Sequence, residues 1–313
     1  MKLRRPLAVA LSTGLLVLAG CAGDDLAEDD NDNGSDTSST GGSVTLGSQA
    51  FDEAALVTAM YAALLEDSGY DVETKLVETR PAYLNELPGE IDIAPEYLAG
   101  LGDQLNTDAN GEDAAPISTS DTQETLDAMA PLLDEKGITV LEPSEANSQN
   151  AYFVTQEFSD SEGVTGLSDL EGQAVTLAAA PDCKGRDDCE KGLTEVYGID
   201  VTLQPLGYAS PETFQAVLEG EAQLGQTSTF DGTLEEQGLL LLEDDRGIQP
   251  AQNLIPAVST EFLDEHPDVE ETLNGLMSVL TNDLLAEALV RVSVDREPAD
   301  DVAQQFLEDQ GLL

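Results

Sequence analysis

From Ser43 to its last residue, the 313-residue chain alternates short apolar runs with amphipathic segments, and nothing else in it limits the fold as strongly. Runs at 44–48, 72–77, 91–95, 138–141, 152–155, 174–178, 201–205, 222–226, 239–242 and 254–258 have strand length and composition. Residues 52–68 read as a helix with Ala55, Ala59, Ala62 and Leu65 along one stripe. The last fifty residues read as helices only, at 261–265, 269–281, 282–292 and 299–310. Strand and helix in alternation predict an α/β fold with right-handed crossovers.

The amino terminus sets where such a fold operates. Met1 to Arg5 is basic, residues 6–20 are mostly apolar, and Leu18-Ala19-Gly20-Cys21 closes the run. Crossing a bilayer takes ~20 apolar residues, so 1–21 reads as a secretory signal peptide. Its ending resembles the lipobox of bacterial lipoproteins, in which the cysteine becomes the lipidated first residue. The expected location is extracytoplasmic, tethered to the cell membrane through Cys21. Residues 22–43 are Asp, Asn, Ser, Thr and Gly with almost nothing to bury, and read as a disordered acidic tether.

Twelve Lys and Arg face 63 Asp and Glu. Lys2, Arg4 and Arg5 leave with the leader, so the mature chain keeps nine cations. Such a surface repels nucleic acid and anionic lipid. It suits a protein held soluble in salty surroundings. Nucleic acid is therefore not expected as a partner, and the chain is expected to act as a monomer.

Few constellations in the sequence support chemistry. His266 is the single histidine and lies in a polar turn, no phosphate-binding Gly-rich loop occurs, and no Cys/His set has metal-ligand spacing. No catalytic residue, metal or cofactor is expected. Cys183 and Cys189, spaced C-x5-C, read as a disulfide closing a small loop, worth roughly 2 kcal/mol in the chain-entropy model. Arg186 sits between them. It reads either as a bidentate carboxylate clamp or as a surface Arg paired with Asp187 or Asp188. Arg80 precedes Pro81 at a strand-to-helix turn, with a local ion pair to Glu78 as its plainer role. Tyr97 ends a strand and offers a face to a cation.

One internal echo is present. Leu87-Pro-Gly-Glu-Ile-Asp-Ile93 and Leu218-Glu-Gly-Glu-Ala-Gln-Leu224 each follow a strand and a helix. They place Tyr97 and Ser228 at equivalent offsets, where ligands of open α/β sheets bind.

The opening Leu46-Gly-Ser-Gln-Ala-Phe51, then Gly89-Glu-Ile-Asp-Ile-Ala-Pro-Glu-Tyr97, Gly192-Leu-Thr-Glu-Val-Tyr-Gly198, Asn253-Leu-Ile-Pro256 and the closing Phe306-Leu-Glu-Asp-Gln-Gly-Leu-Leu313 run in order along the chain. Together they resemble the substrate-binding lipoproteins of osmoprotectant ABC importers, the glycine betaine, choline and carnitine type. The resemblance implies a type II periplasmic-binding-protein fold with two lobes and a double-crossover hinge. Lobe I would be 44–144 plus 244–313, and lobe II 145–243. It implies a permease and an ATPase as partners, and a role in osmotic stress. The rival role is a sensor or envelope protein that binds a more polar solute without transport.

In this family tyrosines surround a quaternary ammonium and an Arg takes the carboxylate. Arg186 aligns with that Arg and Tyr97 with the first tyrosine. Asn150, Ser228 and Gln252 stand where the other tyrosines are expected, and Gln49, beside Ser48, stands where some relatives have Lys. The implied ligand-binding set is Ser48, Gln49, Arg80, Tyr97, Asn150, Arg186, Ser228 and Gln252. Either Phe214, Tyr152 or Tyr208 rebuilds the cage, or the ligand is more polar.

Overall fold

The computed structural model describes residues 41–313. The expected signal peptide, Cys21 and most of the expected tether lie outside the described residues. Ten strands are found among them: β1 (Gly42–Gln49), β2 (Tyr70–Val77), β3 (Ile93–Tyr97), β4 (Ile138–Val140), β5 (Asn150–Thr155), β6 (Ala174–Ala179), β7 (Asp200–Pro205), β8 (Leu224–Ser228), β9 (Leu239–Leu242) and β10 (Leu254–Ser259). The helices are α1 (Asp52–Asp67), α2 (Arg80–Leu84), α3 (Leu98–Asn110), α4 (Thr122–Lys136), α5 (Gln156–Glu162), α6 (Glu190–Glu195), α7 (Pro211–Leu218), α8 (Thr260–Glu265), α9 (Asp268–Met277), α10 (Asn282–Ser293) and α11 (Ala299–Gln310). Every expected strand is present. β1 opens at Gly42, inside the stretch read as tether, because its first residues pair with Tyr70 and Asp71 of β2.

The strands form two five-stranded sheets, ordered β2-β1-β3-β10-β4 and β7-β6-β8-β5-β9. The two orders are the same pattern. In each, three parallel strands come from consecutive βα units, and the fourth runs antiparallel to the third. The echoed segments lead into the third strand of each sheet, β3 and β8. That β5 and β10 run antiparallel to their neighbours was not legible from the alternation. Each is the first strand after the chain crosses from one sheet to the other, so it enters its sheet from the opposite end.

The crossings run through 141–149 and 243–253, and they are bonded to each other. Asn147 bridges Asn253, the Ser148 amide donates to the Gln252 carbonyl at 3.0 Å, and the Gln252 amide donates to Asn147 Oδ1 at 2.8 Å. Two lobes joined by paired crossings make the type II periplasmic-binding-protein fold, with its double-crossover hinge.

Each sheet is covered on both faces, as the near-continuous apolar runs require. α1, α9, α10 and α11 cover one face of the first sheet around Leu46, Met60, Tyr61 and Leu307; α3 and α4 cover the other around Leu101, Met129 and Ile255. α1 departs from the stripe read off the sequence. Ala59 and Leu65 are buried as expected, but Ala55 and Ala62 are only partly so, and Leu56, Val57, Met60, Tyr61 and Leu64 carry the burial. The helix packs on α9, α10 and α11 as well as on the sheet, so its apolar surface extends beyond one stripe.

Candidate functional site

The carboxyl ends of β3 and β8 face the hinge. Two cavities lie there and share one residue, Tyr208. The larger, of about 580 Å³, is bordered by Phe51, Glu53, Tyr208, Ser228, Phe230 and Asp231 among others. The smaller, of about 220 Å³, is polar and bordered by Asn150, Arg186, Asp188, Tyr208, Gln249 and Gln252 among others. Tyr208 is 45% exposed. It is held between Gly207 at φ +141° and Ala209 at φ +44°. Left-handed backbone costs an L-residue about 1–2 kcal/mol, and such strain persists where the surroundings over-determine it. Partial burial raises the Tyr208 phenol above its ordinary pKa, with the Ser228 hydroxyl opposing the shift.

Of the expected ligand set, the smaller cavity brings together Asn150, Arg186 and Gln252, and Ser228 borders the larger. Ser48, Gln49, Arg80 and Tyr97 border neither.

Arg80 belongs to a buried ion pair. Its Nε donates to both oxygens of Glu96, at 3.0 and 3.1 Å, and Glu96 is wholly buried in β3. The Tyr83 hydroxyl also donates to this carboxylate, and so does the Tyr97 amide, at 2.9 Å. Glu96, and not Glu78, is therefore the partner. The guanidinium lies against the first turn of α3, where a Cβ on Gly100 would stand 2.6 Å from it, so the arrangement needs glycine there.

Tyr97 is 8% exposed. Its ring stacks on Phe51 at 6.2 Å between centroids, one layer behind the larger cavity. Burial raises its pKa well above the ordinary value, and the neighbouring Glu53 charge adds to the effect.

The loop closed by Cys183 and Cys189, whose sulfurs are 2.04 Å apart, presents Arg186. The fork is engaged. Nε donates to Asp188 Oδ1 at 2.8 Å, Nη2 donates to Asp188 Oδ2, and Nη1 donates to Asp182 at 3.0 Å. Asn150 Nδ2 donates to the same Asp188 oxygen at 3.0 Å. The local pairing weighed for Arg186 from sequence is thus realised, with Asp188 and Asp182 as partners, while Asp187 pairs with Lys191. Gln252 Oε1 accepts from the Gly100 amide at 3.0 Å, one of the amides left free at the start of α3. Its amide group remains as a donor toward the cavity.

Among the three aromatic residues weighed as substitutes, only Tyr208 borders the cleft cavities. Tyr152 is buried and its hydroxyl donates to the Asp188 carbonyl at 2.9 Å, and Phe214 stacks on Phe153 at 5.0 Å away from them.

The sequence reading missed Glu53 and Gln249. Glu53 Oε1 and Gln249 Oε1 are both shut off from solvent without a hydrogen-bond partner. The other Glu53 oxygen accepts from Ser148 Oγ at 3.2 Å. Burial raises the Glu53 pKa, with Tyr97 and Ser148 opposing. An acidic pair opening a helix passes for ordinary dipole pairing, so Asp52-Glu53 carried no signal of its own.

Comparison with known proteins shows the family. The family model described as the substrate binding domain of ABC-type glycine betaine transport system, OpuAC, matches residues 42–309. The glycine-betaine-binding protein of Pseudomonas aeruginosa is 27% identical over 288 residues, covering 86% of this chain and 88% of that one. The glycine betaine-binding protein YehZ of Escherichia coli is 27% identical over 282 residues, covering 86% and 90%. The structure of apo YehZ from Escherichia coli superposes with a TM-score of 0.74 at 24% identity, covering 86% of this chain and 99% of that chain.

Proposed function

This chain belongs to the family of substrate-binding domains of ABC-type glycine betaine transport systems, and from that premise we propose that it captures a small quaternary-amine or zwitterionic compatible solute in the cleft behind Tyr208. It hands the solute to a membrane permease driven by an ATPase and does no chemistry on it. The observation that carries the reading is the pair of cavities meeting at Tyr208 beside the paired crossings; in this reading lobes 44–144 plus 244–313 and 145–243 close there on a guest. Tyr208 and Phe51 supply aromatic faces for the ammonium. Asn150, Gln252 and Arg186 supply polar contacts for the other end.

In this reading the protein works outside the cytoplasm as a monomer. Cys21 carries the lipid that holds it at the membrane, and mass spectrometry of the mature amino terminus tests that part.

Thermal unfolding with and without glycine betaine, choline, carnitine and proline betaine tests the ligand class. A solute at a hundred times its Kd stabilises by about 2.7 kcal/mol. For a domain of this size that moves Tm upward by about 5–10 °C. No shift with any of them overturns the class.

A further inference from the structure

The cleft holds a carboxylate that the chain itself does not neutralise. Glu53 Oε2 accepts from Ser148 Oγ, Oε1 has no bonded partner, and the Tyr97 hydroxyl, itself without one, is the other polar group beside the carboxylate; both neighbours are neutral. None of the ion pairs among the described residues includes Glu53. A buried carboxylate without a counter-charge is costly to keep ionised, and its raised pKa is the sign of that cost. The cavity it borders also carries Asp52 and Asp231, and neither Lys nor Arg. The aromatic residues on its walls, Phe51, Tyr208 and Phe230, are the kind that accept a quaternary ammonium.

The cationic end of the cleft is in the opposite condition. Arg186 already faces Asp182 and Asp188, so an incoming carboxylate must displace Asp188 and pass an acidic neighbourhood. A zwitterion therefore meets one favourable chamber and one that is already filled. A cation without a carboxylate meets only the favourable one.

Resting on the quaternary-amine reading above, we propose that Glu53 sets the charge preference of the site: it selects a quaternary ammonium that bears no carboxylate over a zwitterion. The ligand supplies the cation that Glu53 lacks.

Calorimetric titration of the mature protein with choline, glycine betaine and 3,3-dimethyl-1-butanol, the neutral carbon isostere of choline, tests this. Choline is expected to bind about tenfold or more tightly than either of the others. Glu53→Gln keeps the shape and removes the charge. It is expected to weaken choline about tenfold or more and glycine betaine by about threefold or less. Equal or tighter binding of glycine betaine, or equal weakening of both by E53Q, overturns charge selection and leaves the quaternary-amine reading standing. No binding of choline or glycine betaine overturns both. If E53Q does not fold, the comparison of choline with its neutral isostere in the unaltered protein decides the matter: equal affinities overturn the proposal.

Discussion

Replacing Arg80 with Met separates a structural cation from a ligand-binding one. Glu96 is fully buried and takes four hydrogen bonds, two of them from Arg80 Nε and the others from Tyr83 and the Tyr97 amide. In R80M the Tyr83 and Tyr97 donors stay in place, but the carboxylate loses its ion-pair partner. Leaving one member of a buried pair uncompensated costs about 3–5 kcal/mol. At about 2–4 °C per kcal/mol for a domain of this size, Tm falls by about 6–20 °C.

The double variant R80M/E96L removes both charges. It recovers part of the loss but not all, because the Tyr83 hydroxyl and the Tyr97 amide then lack an acceptor, at about 1–3 kcal/mol each. Urea unfolding of the wild type, both single variants and the double variant gives the coupling energy directly. A loss under about 1 kcal/mol in R80M, accompanied by weakened solute binding, refutes the structural assignment and returns Arg80 to the binding set.

Three further outcomes are expected. Burial holds the Glu53 carboxyl above its ordinary value of 4.5, so the ligand-free fold binds that proton more tightly than the unfolded chain does. Its contribution to stability is present below pH 4.5 and is lost as pH rises through the folded-state value; stability against pH for E53Q, measured by urea unfolding, therefore lacks that decline relative to wild type. Gly192→Ala places a Cβ 2.1 Å from the Asp187 carbonyl oxygen, which displaces the disulfide loop and costs about 1–3 kcal/mol; unfolding and solute titration should both report it. Tyr208→Ala removes a half-exposed ring, so calorimetry should show quaternary-amine binding weaker by about 0.5–2 kcal/mol with Tm almost unchanged.

The carboxylate partners explain why the site was harder to read than the fold. Arg80, Arg186 and Tyr97 each have the chemistry expected of a ligand contact, and residue type alone puts all three in the cleft. Which of them faces the guest depends on Glu96, Asp182 and Asp188, of which Glu96 is buried and Asp188 half-buried. Arg80 and Glu96 meet across sixteen residues. Asn150 meets Asp188 across thirty-eight. In a chain with 63 carboxylates, no local pattern marks the ones that matter. Tyr208 was weighed as one of three aromatic substitutes, and only the backbone around it places it where both cavities meet.

The order of strands and helices was present in the sequence because both periods are local: a run of apolar residues or a stripe at helical spacing needs only its own neighbours. The shared grammar of the two halves was local as well, and both sheets repeat it. Tertiary structure alone decided that β5 and β10 enter antiparallel, that Tyr97 withdraws behind Phe51, and that Glu53 stands buried without a counter-charge. Those outcomes depend on what the hinge brings together from distant parts of the chain, and electrostatic interactions in a cleft follow distance in space and burial, to which separation along the sequence is no guide.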